Sequence, residues 1–245
     1  MSETIDILGV PIHYVTMDGS CTAVADMMSE PHVHQICTVN PEFVMRAQED
    51  DDFRRVLYGA DLCLADGIGL VMASRHLRPD APLPERVPGS ELVYHLAELC
   101  ARNGWRLFLL GAAEGVAAEA GELLTAKYPE LVIAGTYSGS PALAENDEIV
   151  ARINRSAADM LYVAYGAPKQ DKWIARNLEQ LTSVRVALGV GGSLDFITGR
   201  SVRAPRWVQN LGLEWLHRLV LEPWRWRRML ALPRFVWAII WRGSR

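Results

Sequence analysis

Apolar runs of strand length alternate along the chain with stretches patterned for helix. Each run is short and almost continuously apolar, which is typical of strands buried on both faces. Repeated alternation of this kind predicts a Rossmann-like α/β fold, with a mostly parallel sheet and helices on both of its faces. The predicted strands are residues 5–10, 35–39, 62–65, 106–110, 131–136, 160–165 and 185–190.

The intervening stretches carry helix signals. Pro41 suits the first turn of a helix over residues 41–48, because its missing N–H costs little there. Ser90 is expected to cap a helix that ends at Gly104. Residues 114–128 and 168–181 are the other predicted helices. In sheets of this type ligands bind beyond the carboxyl ends of the strands, so the loops at those ends are the candidate site.

Composition is globular throughout, but its character changes near Gly199. The chain has 245 residues, half of them apolar and 22% charged, which argues against disorder. We therefore expect an α/β domain over 1–199 and a basic helical appendage over 200–245. Four Cys residues without CxxC spacing make a disulfide scaffold or a structural zinc site unexpected. The N-terminus lacks a signal-peptide pattern and no apolar run is long enough to span a bilayer, so a cytoplasmic location is expected.

The net charge of −4 conceals two opposite regions. Residues 200–245 hold ten of the 25 basic residues and only two of the 29 acids. They also hold six of the eight Trp residues. Arg with Trp in a short segment suits a membrane surface, where phosphate and lipid headgroups meet. A basic helix packed on an acidic body is the alternative, and the acidic body argues against binding to nucleic acid.

Polar side chains follow two of the predicted strands. Thr38 and Asn40 lie at the end of one strand and suit contacts to a sugar or phosphate, although Asn40 would also serve as a helix cap. Asp66 ends another strand in apolar surroundings, which should raise its pKa and suit it to act as a general base. Capping of a helix is the alternative for Asp66 too.

An arginine and three glycine loops point to a phosphate ligand. Arg86 precedes a predicted helix start and could hold a phosphate there, with a surface ion pair as the alternative. The loops at 111–115, 166–170 and 189–193 each follow a strand and offer backbone N–H groups to a nucleotide diphosphate. None matches a dinucleotide fingerprint or a Walker loop. The acids at 50–52 are interpreted as solvated surface, so no metal site is predicted.

These segments together resemble the WecG/TagA/CpsF family of glycosyltransferases, over residues 5–234. The resemblance is carried by these runs: TVNP from Thr38, ADGIG from Ala65, ERVPG from Glu85, LLG from Leu109, GAPKQ from Gly166, GVGG from Gly189, RAP from Arg203 and GLEWLHR from Gly212. Two departures are Asp171, where the family usually has Glu, and Ser138-Gly139-Ser140, where a Gly followed by aromatics is expected.

The resemblance implies an inverting hexosyltransferase. Such an enzyme moves a sugar, N-acetylmannosamine in the first instance, from a UDP-sugar to undecaprenyl-diphosphate-linked N-acetylglucosamine, without a metal cofactor. Another donor in exopolysaccharide assembly, a different nucleotide-binding enzyme and a non-catalytic membrane scaffold stay open as alternatives. A peripheral position on the inner face of the cell membrane is also implied, and homo-oligomerisation is left open.

The same resemblance distributes roles among the candidate residues. Asp66 is the expected base, and Arg86 is expected to offset charge on the departing diphosphate. Gln170 is expected to bind the sugar with Thr38 and Asn40. The UDP would be held by Gly111, Gly189, Gly191, Gly192 and Asp195. The lipid diphosphate would be held by Arg225, Arg227 and Arg228.

Overall fold

The computed structural model describes residues 3–202, 204–205, 208, 214–221 and 226–243. Its strands are β1 (Thr4–Ile7), β2 (Val10–His13), β3 (His34–Val39), β4 (Leu62–Ala65), β5 (Arg106–Gly111), β6 (Val132–Tyr137), β7 (Met160–Ala164) and β8 (Val186–Gly189). Six of them form a sheet in which all five neighbouring pairs run parallel, in the order β4-β3-β8-β7-β5-β6. This confirms the predicted sheet.

Helices cover both faces of the sheet. The helices of the first part of the chain are α1 (Met17–Met27), α2 (Pro41–Ala47), α3 (Asp51–Gly59), α4 (Ile68–Leu77), α5 (Gly89–Asn103) and α6 (Val116–Lys127). Those that follow are α7 (Asn146–Ser156), α8 (Lys169–Asn177), α9 (Ser193–Ile197), α10 (Glu214–Leu221), α11 (Trp226–Met229) and α12 (Ala231–Gly243).

Alternate residues of each strand enter different hydrophobic layers. In β5, Leu107 and Leu109 pack with α5 and α6 on one face, whereas Phe108 and Leu110 pack with α7 and α8 on the other. Both sets are buried, which explains why these strands are almost continuously apolar in sequence. No helix among the described residues combines the length and apolar composition needed to cross a bilayer.

The first predicted strand proved wrong in extent and partner. Residues 5–10 divide between β1 and β2, which pair with each other as an antiparallel hairpin outside the main sheet. The reason is the turn at Leu8 and Gly9, where both residues have positive φ (54° and 81°). The Gly9 N–H donates to Asp6 Oδ1 at 3.0 Å, which stabilises this turn.

The start of α5 also differs from the prediction. The helix begins at Gly89 rather than after Ser90, and Pro88 at its cap position makes no side-chain capping bond. At the other end Gly104 adopts the left-handed conformation that was expected of it (φ 69°).

The C-terminal helix packs against the body of the protein. Phe235 and Ile239 of α12 are buried in the same hydrophobic cluster as residues of α2 and α4. The boundary expected near residue 199 therefore marks a change in composition. It does not mark the edge of the hydrophobic core, because α12 shares a core with α2 and α4. The other face of this helix is exposed, including Val236, Trp237 and Trp241.

Candidate active site

A cavity of about 870 Å³ opens at the carboxyl ends of the central strands. Its floor comes from the residues that follow β3, β4, β7 and β8, where such a sheet is expected to bind its ligand. Its volume is within the ordinary range for small-molecule sites. Eight of the predicted site residues line it: Thr38, Asn40, Asp66, Arg86, Gln170, Gly191, Gly192 and Asp195.

Asp66 is held in place by its neighbours on both sides. Its N–H donates to the Val39 carbonyl at 2.8 Å, which fixes the end of β4 against the end of β3. Its Oδ1 accepts a hydrogen bond from the Gly89 N–H at 3.0 Å. Asp66 therefore provides a hydrogen-bond acceptor for the N–H of the first residue of α5. The helix that directly follows Asp66, α4, has no side-chain cap. The alternative role of Asp66 as a helix cap is therefore correct, but the helix it caps is α5, 23 residues further along the chain.

Two glycines after Asp66 permit close packing with α2. A Cβ on Gly67 would lie 2.7 Å from Pro41 Cδ, and one on Gly69 would lie 2.8 Å from Pro41 Cγ. Neither distance is tolerable without movement of the proline ring. The glycines therefore let the N-termini of α2 and α4 approach each other, which brings Asp66 close to the β3 end of the site.

Thr38 and Asn40 occupy the β3 side of the cavity. Asn40 caps α2, because its Oδ1 accepts from the Phe43 N–H at 3.1 Å, so the capping role predicted as an alternative is confirmed. Thr38 is buried and packs against Gly89, where an added Cβ would lie 3.1 Å from Thr38 Oγ1. Gly89 thus contacts both Thr38 and Asp66.

Gln170 joins two of the glycine loops. Its Oε1 accepts from the Gly166 N–H at 3.1 Å and from the Gly191 N–H at 3.0 Å. The side chain is almost fully buried, and a Cβ on Gly189 would lie 2.5 Å from its Nε2. Gln170 therefore fixes the loops after β7 and β8 relative to each other, at the wall of the cavity.

The glycine loop at 111–115 lies apart from the cavity. Gly111 and Gly189 are not among the described residues that line it. Gly111 has a φ of 96° and packs on the backbone of Ala164, so its bare Cα serves the contact between β5 and β7. Gly189 serves the packing of Gln170.

Helix N-termini converge on the cavity. The first residues of α4, α5 and α8 border it, near Gly67, Gly89 and Gln170. Each helix presents N–H groups and the positive end of its dipole there. Arg86 adds a guanidinium at the same edge. The combination is suited to a ligand that carries negative charge, such as a diphosphate.

A buried carboxyl lies behind the cavity wall. Asp171 follows Gln170 and is fully buried, and neither of its oxygens has a hydrogen-bond partner among the described residues. Burial raises the pKa of Asp171 to about 7, and the nearby Cys37 thiol and Gln170 amide offset this only in part. The pKa of the Cys37 thiol is raised well above its usual value, chiefly by its contact with Cys63 and by burial.

The interpretation of the acids at 50–52 as solvated surface is correct for Asp51 and Asp52 but wrong for Asp50, since its largely buried side chain connects two helices. Asp50 caps α3, since its Oδ1 accepts from the Phe53 N–H at 3.0 Å. The same oxygen lies 2.6 Å from Lys172 Nζ of α8, and this contact is the main reason that the pKa of Asp50 is lowered. Asp51 and Asp52 are exposed and pair with Arg54 and Arg55.

An apolar roof, which the sequence did not reveal, completes the cavity. It is formed by α12 and its approach, through Met229, Leu232, Val236 and Ile240. Tyr165 also lines the cavity, and its buried hydroxyl has no hydrogen-bond partner among the described residues. A signal for Tyr165 was available, because it is the last residue of the strand predicted over 160–165, at the carboxyl end where ligands are expected.

The arginines predicted to bind the lipid diphosphate are only partly placed. Arg225 lies outside the described residues. Arg227 and Arg228 belong to α11, but their side chains lie outside what the structure describes.

The chain is similar over nearly its whole length to one known protein family. The model of the glycosyl transferase WecG/TagA/CpsF family matches residues 5–245. Three similar proteins are named N-acetylglucosaminyldiphosphoundecaprenol N-acetyl-beta-D-mannosaminyltransferase. The one from Bacillus subtilis (strain 168) is 34% identical over 91% of this chain and 88% of its own length. The one from Bacillus spizizenii is 37% identical over 84% of this chain and 78% of its own length. The one from Staphylococcus aureus (strain MRSA252) is 33% identical over 96% of this chain and 91% of its own length. The chain therefore belongs to the glycosyl transferase WecG/TagA/CpsF family.

Proposed function

We propose that this protein transfers N-acetylmannosamine from a UDP-sugar to undecaprenyl-diphosphate-linked N-acetylglucosamine, in the synthesis of a cell-surface polymer. The observation that carries the proposal is the two-sided cavity. Its floor is polar and bordered by helix N-termini, which suits a nucleotide diphosphate sugar. Its roof is the apolar side of α12, which suits an acceptor attached to a lipid. The names of the three relatives supply the acceptor and the transferred sugar.

The proposed reaction is a single displacement with inversion. Asp66 removes the proton from the acceptor hydroxyl as the acceptor oxygen bonds to the anomeric carbon of the donor. The bond from that carbon to the diphosphate breaks, and its electron pair leaves with UDP. The Gly89 N–H orients the Asp66 carboxylate for this task. Arg86 and the helix N-termini offset the charge that develops on UDP, so no metal ion is invoked.

Substrate positions follow from the placement of the remaining residues. Thr38 and Asn40, on the β3 side of Asp66, would contact the sugars. Gln170 would act mainly by fixing the Gly166 and Gly191 loops, and Gly191, Gly192 and Asp195 would border the UDP.

The exposed face of the C-terminal helices supports a place on the inner surface of the cell membrane. Val236, Ile240 and the two Trp residues of α12 are each more than half exposed. The rings of Trp237 and Trp241 stack with centroids 5.6 Å apart. Val236 and Ile240 also line the cavity roof, so the exposed face and the cavity are continuous. A lipid-linked acceptor lying in a bilayer could reach Asp66 by this route.

A donor screen tests the proposal. The full chain is incubated with a short-chain lipid-diphosphate-GlcNAc acceptor and one donor per reaction. The donors are UDP-ManNAc, UDP-GlcNAc, UDP-glucose and UDP-galactose, and products are detected by mass spectrometry. We expect a mass increase of one N-acetylhexosamine with UDP-ManNAc and little product with the others. Transfer from a different donor would retain the reaction class and replace the sugar. Absence of transfer from all donors would overturn the proposal.

A further inference from the structure

Two histidines and a glutamate form a cluster at the opposite end of the sheet from the cavity. Glu30 and His32 belong to the loop between α1 and β3, and His34 is the first residue of β3. Their side-chain ligand atoms all lie within 4.8 Å of one another. His34 and Asn40 stand at opposite ends of β3, roughly 20 Å apart at ~3.3 Å per residue. The cluster is therefore separate from the proposed reaction.

The distances match the edges of a metal-coordination tetrahedron. Glu30 Oε2 lies 3.6 Å from His32 Nε2 and 3.4 Å from His34 Nε2. Zinc bonds of ~2.0–2.1 Å in tetrahedral geometry place ligand atoms about 3.3–3.4 Å apart. Closure of the cluster around an ion thus needs only small side-chain movements. Because Glu30 and His32 are about half exposed, an ion could enter from solvent and keep water as its fourth ligand.

His34 has the burial and surroundings of a metal ligand. Its side chain is only 5% exposed, and neither ring nitrogen makes a well-aligned hydrogen bond within the described part of the chain. Asp61 Oδ1 lies 3.1 Å from Nδ1, although the alignment falls short of a hydrogen bond. A carboxylate beside the second nitrogen of a histidine is the arrangement that commonly orients a zinc ligand.

The backbone around the cluster is well fixed. Asp61 is held by the Gln35 N–H, which donates to its Oδ2 at 2.8 Å. The His34 N–H donates to the Arg185 carbonyl at 2.7 Å, and the Glu30 N–H donates to the Met27 carbonyl at 3.1 Å. The Pro31 carbonyl accepts from Arg185 Nη1 at 3.4 Å. These hydrogen bonds thus fix both ends of the short loop that carries Glu30, His32 and His34.

We infer that Glu30, His32 and His34 bind one divalent zinc ion, which fastens the α1–β3 loop to the amino end of the sheet. The donor set of two imidazoles and one carboxylate suits Zn²⁺. A structural zinc site was unexpected from the spacing of the Cys residues, and this cluster contains no Cys. Since the ion would be remote from Asp66, it would stabilise the fold and leave the proposed transfer reaction unchanged.

Zinc titration of the tag-free full chain tests the inference. After treatment with a chelator, calorimetry with ZnCl₂ and metal analysis should give one zinc per chain with micromolar or tighter affinity. Saturation should raise the Tm by several degrees, because the ion binds only the folded chain. His32→Ala and Glu30→Gln change exposed side chains, so both variants should fold, and each should weaken binding about tenfold or more.

Two control variants make the result decisive. His95→Ala removes an exposed histidine of α5, and Cys21→Ser removes a partly exposed thiol, and both should bind zinc as the wild type does. Absence of stoichiometric binding by the wild type would overturn the inference. Binding that survives both His32→Ala and Glu30→Gln, or that is lost in either control, would also overturn it.

Discussion

The carboxylate of Asp66 accepts a hydrogen bond from the backbone N–H of Gly89, at 3.0 Å and across 23 residues of sequence. The bond connects the carboxyl end of β4 to the N-terminus of α5. It satisfies a helix N–H that has no local cap, and it fixes the direction of the carboxylate. One interaction thus serves the fold and the candidate chemistry together.

Gly67→Ala should destabilise the protein and displace Asp66. The added Cβ would lie 2.7 Å from Pro41 Cδ, so α2 and α4 must separate. We expect a loss of about 1–3 kcal/mol in the free energy of unfolding. That loss should lower the Tm by ~2–4 °C for each kcal/mol in a chain of this size. Thermal unfolding measures the first effect, and kcat should fall with it.

The matched control for this substitution is Gly59→Ala. Gly59 is the last residue of α3, and nothing lies within 4 Å of an added Cβ. Its Tm should stay the same or rise slightly, because alanine restricts the unfolded chain. Equal Tm values for the two variants would show that the Gly67–Pro41 contact does not limit packing.

Asp171→Asn should remove a pH dependence of stability. Burial raises the pKa of Asp171 from its ordinary 3.8 to about 7, so the folded chain holds this proton more tightly than the unfolded chain does. The stability that the protonated carboxyl provides is complete below about pH 4 and is lost as the pH rises through about 7. The asparagine stays neutral, so its gain in Tm over the wild type should be larger at pH 8 than at pH 5.

Thermal unfolding at the two pH values measures this difference. Asp80→Asn, a change at an exposed loop position, serves as the control and should shift the Tm equally at both. If Asp171→Asn lowers the Tm by the same amount at pH 5 and pH 8, Asp171 is ionised in the folded protein at both values, and its burial is compensated in some other way.

The sheet and part of the site were predictable from sequence for local reasons. Strands buried on both faces read as continuous apolar runs, and Asn40 and Gly104 act through their immediate neighbours. The hairpin of β1 and β2 was missed because the turn places Leu8, a large apolar residue, at positive φ. Nothing in the apolar pattern marks such a turn.

Long-range contacts account for the rest. The Asp66–Gly89 bond depends on where α5 starts, which the expected Ser90 cap misplaced by two positions, since the observed cap is Pro88. The roof of the cavity depends on α12 packing against α2 and α4 through Phe235 and Ile239. The Arg and Trp content of residues 200–245 favoured a membrane surface, with packing on the body as the alternative. The structure shows that α12 does pack on the body, through Phe235 and Ile239.

Replacing Trp237 and Trp241 together by Ala should weaken membrane binding. Both side chains are exposed, at 66% and 57%, so the fold should tolerate their loss. In flotation with anionic liposomes we expect the wild type to rise with the vesicles and the double variant to stay largely behind, because the rings supply the interfacial contact. High salt should also release the wild type.

Leu143→Ala is the control for that experiment. Leu143 is 72% exposed and lies in a short 3₁₀ turn, so it tests whether any exposed apolar residue promotes flotation. Equal flotation of the double variant and the wild type would assign the exposed face of α12 to some other role.

Chelation should leave transfer activity unchanged. Arg86 and the helix N-termini provide the positive charge at the cavity, so UDP departure needs no metal ion in the proposed reaction. EDTA would still remove zinc from Glu30, His32 and His34, so activity should be assayed at 25 °C while the Tm is followed separately. Activity that is lost with EDTA and restored by magnesium or manganese would contradict metal independence.

The most direct test of the central claim is the turnover of Asp66→Asn with UDP-ManNAc and the lipid-diphosphate-GlcNAc acceptor. Asparagine keeps an Oδ1 that can accept from the Gly89 N–H, so the fold and UDP binding should persist. Without a base, kcat should fall by roughly 10²-fold or more. Calorimetry with UDP provides the parallel measurement of binding. Turnover within a few-fold of the wild type, with UDP binding intact, would contradict the assignment of Asp66 as the base.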